Sequence, residues 1–166
     1  MPPDGFVEPV AWHAGLPGVV LAAAALISDG SGSVLLVKPN YRDHWSLPGG
    51  ICEFREAPHD GCAREVAEEL GLRLTPGPLL SVDWHWSQEL YGPQARPVIY
   101  FIFDGGTLGS LDGIRLQAEE LDDCRFVAAD QVGPYLLPAA VRRVQAAIEA
   151  RASAGARYVP ARRDCC

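Results

Sequence analysis

Basic residues are the first scarcity: 14 lysines and arginines stand against 21 aspartates and glutamates in 166 residues, a net charge of −7. That balance argues against a protein that grips a nucleic-acid polymer through its phosphates. Long apolar runs are missing as well. Val19 to Ile27 is too short to cross a bilayer and residues 1–17 carry no basic leader, so a cytoplasmic protein with no membrane partner is expected. The five cysteines, Cys52, Cys62, Cys124, Cys165 and Cys166, are odd in number and lack paired-ligand spacing. A disulfide framework or a zinc knuckle is therefore disfavoured. Cys165-Cys166 lacks the four-residue prenylation signal and reads as a reducible tail.

What is present fits one domain with a substantial core: 48% of the residues are apolar and 21% charged. Residues 1–14 read as an irregular lead-in that runs on to about residue 17, 15–152 as the domain, and 153–166 as a basic, flexible tail. Val19–Ser28 and Ser33–Lys38 predict two strands of a hairpin around Asp29-Gly30-Ser31-Gly32. Residues 76–86 suggest a strand, and Pro97–Phe103, apolar on both faces, a central one. Residues 104–111 read as a glycine-rich loop, Cys124–Val127 as a strand and Ala128–Val132 as a short helical turn. Pro138–Ala152 predicts an amphipathic helix with Val141, Val144, Ala147 and Ile148 on one face. Strands on both sides of a helical segment, with a second helix near the end, give an α/β architecture.

The densest chemical signal lies between Gly50 and Leu72, GICEFREAPHDGCAREVAEELGL. On a helix starting near Pro58, Glu65, Glu68 and Glu69 share one face, while Cys62, Val66 and Leu70 form the apolar stripe behind them. Gly71 suits the position just past the helix end. Like charges at this spacing weaken an isolated helix by some tenths of a kcal/mol per pair, roughly. Hard oxygen donors converging from one helical turn suit a hard divalent cation such as Mg²⁺ or Mn²⁺. A solvated acidic face is the competing reading.

The wider spacing decides between them. Gly50, five residues, Glu56, seven residues, Arg64-Glu65, an aliphatic, any residue, Glu68-Glu69, any residue, Gly71 and an aliphatic resembles the signature box of the Nudix (MutT-like) hydrolases at every fixed position. A chance match in a chain of this length is on the order of one in a million. The preceding Trp45-Ser46-Leu47-Pro48-Gly49-Gly50 is similar to the usual approach to that box.

The resemblance implies an α/β/α sandwich with a mixed sheet between helices. It also implies divalent-metal-dependent hydrolysis of a diphosphate linkage in a nucleoside diphosphate joined to another moiety. Glu65, Glu68 and Glu69 match the family's metal positions, and the Gly49 carbonyl can join them. Arg64, with Glu56, is placed to brace a box carboxylate. The base that deprotonates the attacking water is either Glu65 or a carboxylate outside the box, with Glu119 and Glu120 the candidates. A solvated acidic loop is the competing reading for those two.

Substrate residues carry weaker signals. Trp45, beside the glycine pair, leads the aromatic candidates for stacking, ahead of Tyr41, Trp84, Trp86 and Tyr91, with ordinary core or rim packing as the competing reading for each. Arg42, Lys38 and His44 are basic residues suited to meet phosphate, with a solvated loop as the competing reading for each. His13, His59 and His85 show no ligand spacing and receive no role. No subfamily marker for coenzyme A, NADH, ADP-ribose or diadenosine substrates is evident. A small-molecule diphosphate is the expected partner, and the family resemblance allows a homodimer. Alternatives are a prenyl or other non-nucleotide diphosphate as substrate, a non-catalytic ligand sensor, or an isoprenoid-diphosphate isomerase. The complete box disfavours the sensor, and the isomerase would want a cysteine outside the box.

Overall fold

The structure, a computed structural model, describes residues 8–86, 92 and 94–160. In chain order the elements are α1 (Pro9–Ala14), β1 (Val20–Ser28), β2 (Val34–Pro39), β3 (Gly49–Ile51), α2 (Pro58–Leu70), β4 (Leu79–His85), β5 (Val98–Thr107), β6 (Leu121–Val127), α3 (Pro138–Ser153) and β7 (Arg157–Val159).

One mixed sheet runs in the order β6-β2-β1-β5-β4-β7. β1 lies parallel to β5, β4 antiparallel to β5, and β2 antiparallel to β6. β1 is buried along almost all of its length, because each of its faces carries a helix. Ala24 and Leu26 point into one core with Ile102, Val144 and Ala147; Ala23, Ala25 and Ile27 point into another with Cys62, Val66 and Leu70. The α/β/α sandwich expected from the box is therefore the architecture, with α2 on one face and α3 on the other.

The site arises from a split in this sheet. β2 pairs with β1 at Ser28 and Val34, at the far end of the hairpin. Further along the same edge of β1, the partner becomes β3, with Ala24 opposite Gly49 and Ala22 opposite Ile51. The Pro48 carbonyl accepts from Ala25 N–H at 2.9 Å, and Val37 and Ser46 form an isolated bridge. The chain from Asn40 to Leu47 thus spans the opening between β2 and β3. The turn behind it is pinned by Asp29, whose Oδ1 accepts from Ser31 N–H and Ser33 N–H.

Several sequence expectations are corrected. The lead-in contains a short helix, α1, none of whose residues is buried. β5 does not stop at Phe103: Asp104 pairs with Leu26 and, after a register shift, Thr107 pairs with Ser28. β6 begins at Leu121 rather than Cys124, and the short turn expected over residues 128–132 is closed by Gln131 N–H donating to Ala128 O. Past the presumed end of the domain, α3 runs to Ser153 and Arg157–Val159 adds a parallel edge strand to β4, so the tail is ordered further than its composition suggests. Tyr91 and Cys165-Cys166 lie outside the described residues.

Candidate active site

The α2 helix forms where Pro58 supplies a pre-set first turn and Gly71, at φ 67°, ends it in the left-handed conformation. Its N-cap, Ala57, makes no side-chain cap bond. Burial of Cys62, Val66 and Leu70 fixes the helix rotation, which turns Glu65 and Glu69 toward β3.

Two glycines allow the close approach. Gly49 has φ +142°, and a Cβ there would meet the Ala23 carbonyl at 2.3 Å. Its N–H donates to Glu69 Oε2 at 2.7 Å. A Cβ on Gly50 would stand 2.6 Å from the Glu65 carboxylate, so that carboxylate lies directly on the glycine pair.

Glu69 is only 7% exposed. Burial pushes its pKa up to about 8; the Gly49 N–H opposes this, and the charges of Glu65 and Glu120 add to it. Glu65 is raised for the same first reason, partly offset by Arg64 and reinforced by Glu68 and Glu120. Glu68 is the most exposed of the three.

Arg64 ties the group together. Its Nε and Nη2 reach the two oxygens of Glu56 at 2.9 and 3.0 Å, and Nη1 reaches Glu65 Oε1 at 3.0 Å and Glu68 Oε2 at 2.8 Å. Nη2 also donates to the Ile51 carbonyl at 3.1 Å. Glu56 is held below the usual carboxylate range by Arg64 and then by the Glu53 N–H. Arg64 and Glu56 therefore splice the loop after β3 to the carboxylate face of α2.

Each of the three site carboxylates keeps one oxygen without a hydrogen bond among the described residues: Glu65 Oε2, Glu68 Oε1 and Glu69 Oε1. No three acidic, histidine or cysteine side chains among the described residues already encircle a single point. The donor set still fits a hard cation. It offers carboxylate oxygens, one of them buried beside like charges that raise its proton affinity, and positive charge there would offset that repulsion.

The two acidic candidates before β6 separate. Glu120 adds to the negative field on both Glu65 and Glu69. Glu119 contributes its backbone carbonyl, which accepts from Asn40 Nδ2 at 2.9 Å.

Beside the glycine pair opens a cavity of about 420 Å³, floored by Ala22–Ala24 and Ile102 and closed by the first turn of α3. Trp45 lines it, fixed edge-on to Tyr135 at 5.7 Å and covered by Arg125 at 4.4 Å. Arg42 and Tyr41 line it too, with Tyr41 68% exposed and the Arg42 guanidinium 5.4 Å from its ring. Arg42 donates to Ser46 Oγ at 3.1 Å but pairs with no carboxylate among the described residues, and its buried Nε has no partner. Lys38 turns away to the Pro39 and Arg42 carbonyls. His44, also on the wall, is lowered by burial and then by Arg42 and Lys38. Trp84 and Trp86 do not line the cavity; Trp86 Nε1 donates to Ala95 O.

Sequence reasoning missed the opposite wall. His85, Tyr100 and Arg143 line it, and Arg143 pairs with the buried Asp83 at 2.8 Å. The alternation of β4 that places Asp83 and His85 on one face is the only local signal for it.

Among the described residues no helix is long and apolar enough to cross a membrane. The family model described as NUDIX domain matches residues 19–149. A MutT-like protein of Streptomyces ambofaciens is 27% identical over 112 residues, covering 68% of this chain and 66% of the relative. A Bacillus subtilis protein provisionally named an ADP-ribose pyrophosphatase is 41% identical over 49 residues, covering 30% of this chain and 24% of that protein. The chain thus spans less than two thirds of the length of either relative. The solved MutT protein from Methanosarcina mazei Go1 is 27% identical and superposes with a TM-score of 0.66, covering 82% of this chain and 96% of that one. A complete box on a split mixed sheet, in a chain matched over most of its length by that family model, means that the chain belongs to the Nudix family.

Proposed function

We propose that this protein hydrolyses a diphosphate linkage in a nucleoside diphosphate joined to a second moiety, by attack of water on phosphorus. The observation that carries the reading is the buried Glu69 carboxylate, held by the Gly49 N–H beside Glu65 and raised in proton affinity by burial and neighbouring negative charge. Such a cluster suits a divalent cation better than an empty solvated face. Glu65, Glu68, Glu69 and the Gly49 carbonyl would hold it, with Mg²⁺ the first choice and Mn²⁺ the second. When bound, the ion neutralises charge on the attacked phosphoryl group and makes water more acidic.

The chain's own residues supply the rest. Arg64 orients Glu65 and Glu68 through one N–H group on each and is anchored in turn by Glu56. Glu65, with its raised pKa, is one candidate to take the proton from the attacking water. Glu120 is the other; it is favoured over Glu119 because its charge reaches Glu65 and Glu69. Arg42, the cavity cation with no carboxylate partner among the described residues, is placed to meet a phosphate of the substrate. Trp45 and Tyr41 line the cavity beside the glycine pair and suit contact with the part of the substrate that does not react. Water adds to one phosphorus, the bridging oxygen leaves with the other phosphate, and two phosphate monoesters and a proton result.

The name of the Bacillus relative supports a nucleoside-diphosphate compound as the first to try. The test is a panel of nucleoside triphosphates, ADP-ribose, nucleotide sugars, dinucleoside polyphosphates and prenyl diphosphates with Mg²⁺. Turnover of a nucleoside-diphosphate compound, lost on chelation, is the expected result. Turnover confined to prenyl diphosphates, or none at all, overturns the reading.

A further inference from the structure

The far wall of the cavity holds a buried ion pair that the proposed hydrolysis does not use. Arg143 directs Nε and Nη2 to the same oxygen, Oδ2 of Asp83, each at 2.8 Å. The side chains are 11% and 2% exposed. The guanidinium lies 3.4 Å from the centroid of the Tyr100 ring. His85 packs against the same ring at 6.2 Å. Arg143 is therefore fixed by the carboxylate and by the ring it stacks on, and it also lines the cavity. Its Nη1 has no hydrogen-bond partner among the described residues.

A buried pair of this kind is seldom the most stable filling for such a space, since apolar residues of similar volume often serve as well or better. Here it holds a planar donor group at a cavity wall, as an oriented binding residue requires. Three observations identify what such a donor would meet. Asp83 already neutralises Arg143, so a second anion on this wall would be a buried charge without a counter-charge. Ala22–Ala24, Ile102 and Val144 offer an apolar surface suited to a flat ring. Arg42, the cavity cation with no carboxylate partner among the described residues, belongs to the loop that leads into the glycine pair, so a phosphate of the substrate has a cation of its own apart from Arg143.

We infer that Arg143 is a specificity-determining residue that selects a neutral planar ring with an accepting oxygen on its edge: an oxo-substituted nucleobase in preference to an amino-substituted one. The inference rests on the reading that the cavity holds the non-reacting part of the substrate. A carbonyl oxygen accepts from Arg143 Nη1, whereas an exocyclic amino group at the same place sets donor against donor. Asp83 is the positioning residue that keeps the fork in place.

Isothermal titration with IMP, AMP, UMP and CMP in Mg²⁺ tests this without turnover. The wild-type protein is expected to bind IMP over AMP and UMP over CMP by about tenfold. Arg143→Gln, whose amide accepts from an amino group as readily as it donates to a carbonyl, is expected to bring each pair within about twofold while AMP binding is retained. The double change Asp83→Asn with Arg143→Gln, which leaves no lone buried carboxylate, gives the same result if the single variant does not fold. Equal affinities in the wild type, binding of none of the four, or an intact preference in either folded variant overturns the inference. An oxo preference without turnover of any diphosphate sinks the hydrolytic reading alone, and turnover without a base preference sinks this one alone.

Discussion

Glu69 shows how much one residue's surroundings decide. It sits four positions after Glu65 on the same helix, but its carboxylate is buried against β3 and raised to about pH 8, whereas Glu68 stays largely in solvent. In metal-free protein the folded state keeps a proton on Glu69 between about pH 4.5 and pH 8, where the unfolded chain has released it. Stability contributed by this group is therefore present at low pH and lost as pH rises through that window, by about 1.4 kcal/mol for each tenfold difference in proton affinity. Melting in a chelator from pH 5 to pH 8 should show this fall, and Glu69→Gln should flatten it. An unchanged slope in the variant would contradict the assignment. Arg64 acts on its neighbours in a different way. Arg64→Ala removes four carboxylate contacts and the bond to Ile51 O at once, and about 10–100-fold loss of activity is expected, as for partners that orient metal ligands. Steady-state kinetics with a fixed substrate and varied Mg²⁺ would show it as a weaker metal requirement curve; wild-type kinetics would mean that Arg64 serves only the fold.

At the scale of elements, α2 carries both the site and half of one core, and its weak point is its start. Ala57 has the extended backbone of an N-cap but no side-chain oxygen to satisfy a free N–H. Ala57→Ser should raise stability by about 1 kcal/mol, read as a higher denaturation midpoint with an unchanged slope; a lower midpoint would mean that the serine disturbs the adjoining Glu56–Arg64 contact. This helix was legible in the sequence because three constraints coincide on it. Proline marks the start, glycine the stop, and Cys62, Val66 and Leu70 fall at helical spacing behind the carboxylates. α3 and the two-faced strand β5 were legible for similar reasons. β7 was not, since Arg157–Val159 has no apolar pattern of its own and is a strand only because β4 offers it an edge. The extension of β5 was hidden by its glycines, Gly105 and Gly106, which read as loop and here fall where the register with β1 shifts, before Thr107 pairs with Ser28.

For the molecule as a whole, an acidic chain encloses a cavity whose described walls carry two arginines and two histidines and no carboxylate. Its acidic residues gather instead on the adjoining face of α2, so charge is divided between the two halves of one site. The box half could be read from sequence because its residues lie within a single loop and helix. The cavity half could not, because Asp83 and Arg143 meet across 60 residues and Tyr100 joins them from a third element. No spacing rule links such residues; only the packing of α3 on the sheet does.

The central claim is that the α2 carboxylates make this a metal-dependent diphosphate hydrolase. It is tested most directly by the turnover of the best substrate of the panel with the wild type, Glu68→Gln and Glu69→Gln, each with Mg²⁺ and again with a chelator. The account predicts activity in the wild type with Mg²⁺ alone, and at least about a hundredfold less in both variants while their melting curves remain cooperative. Full turnover in either variant, or in the chelated wild type, would contradict it.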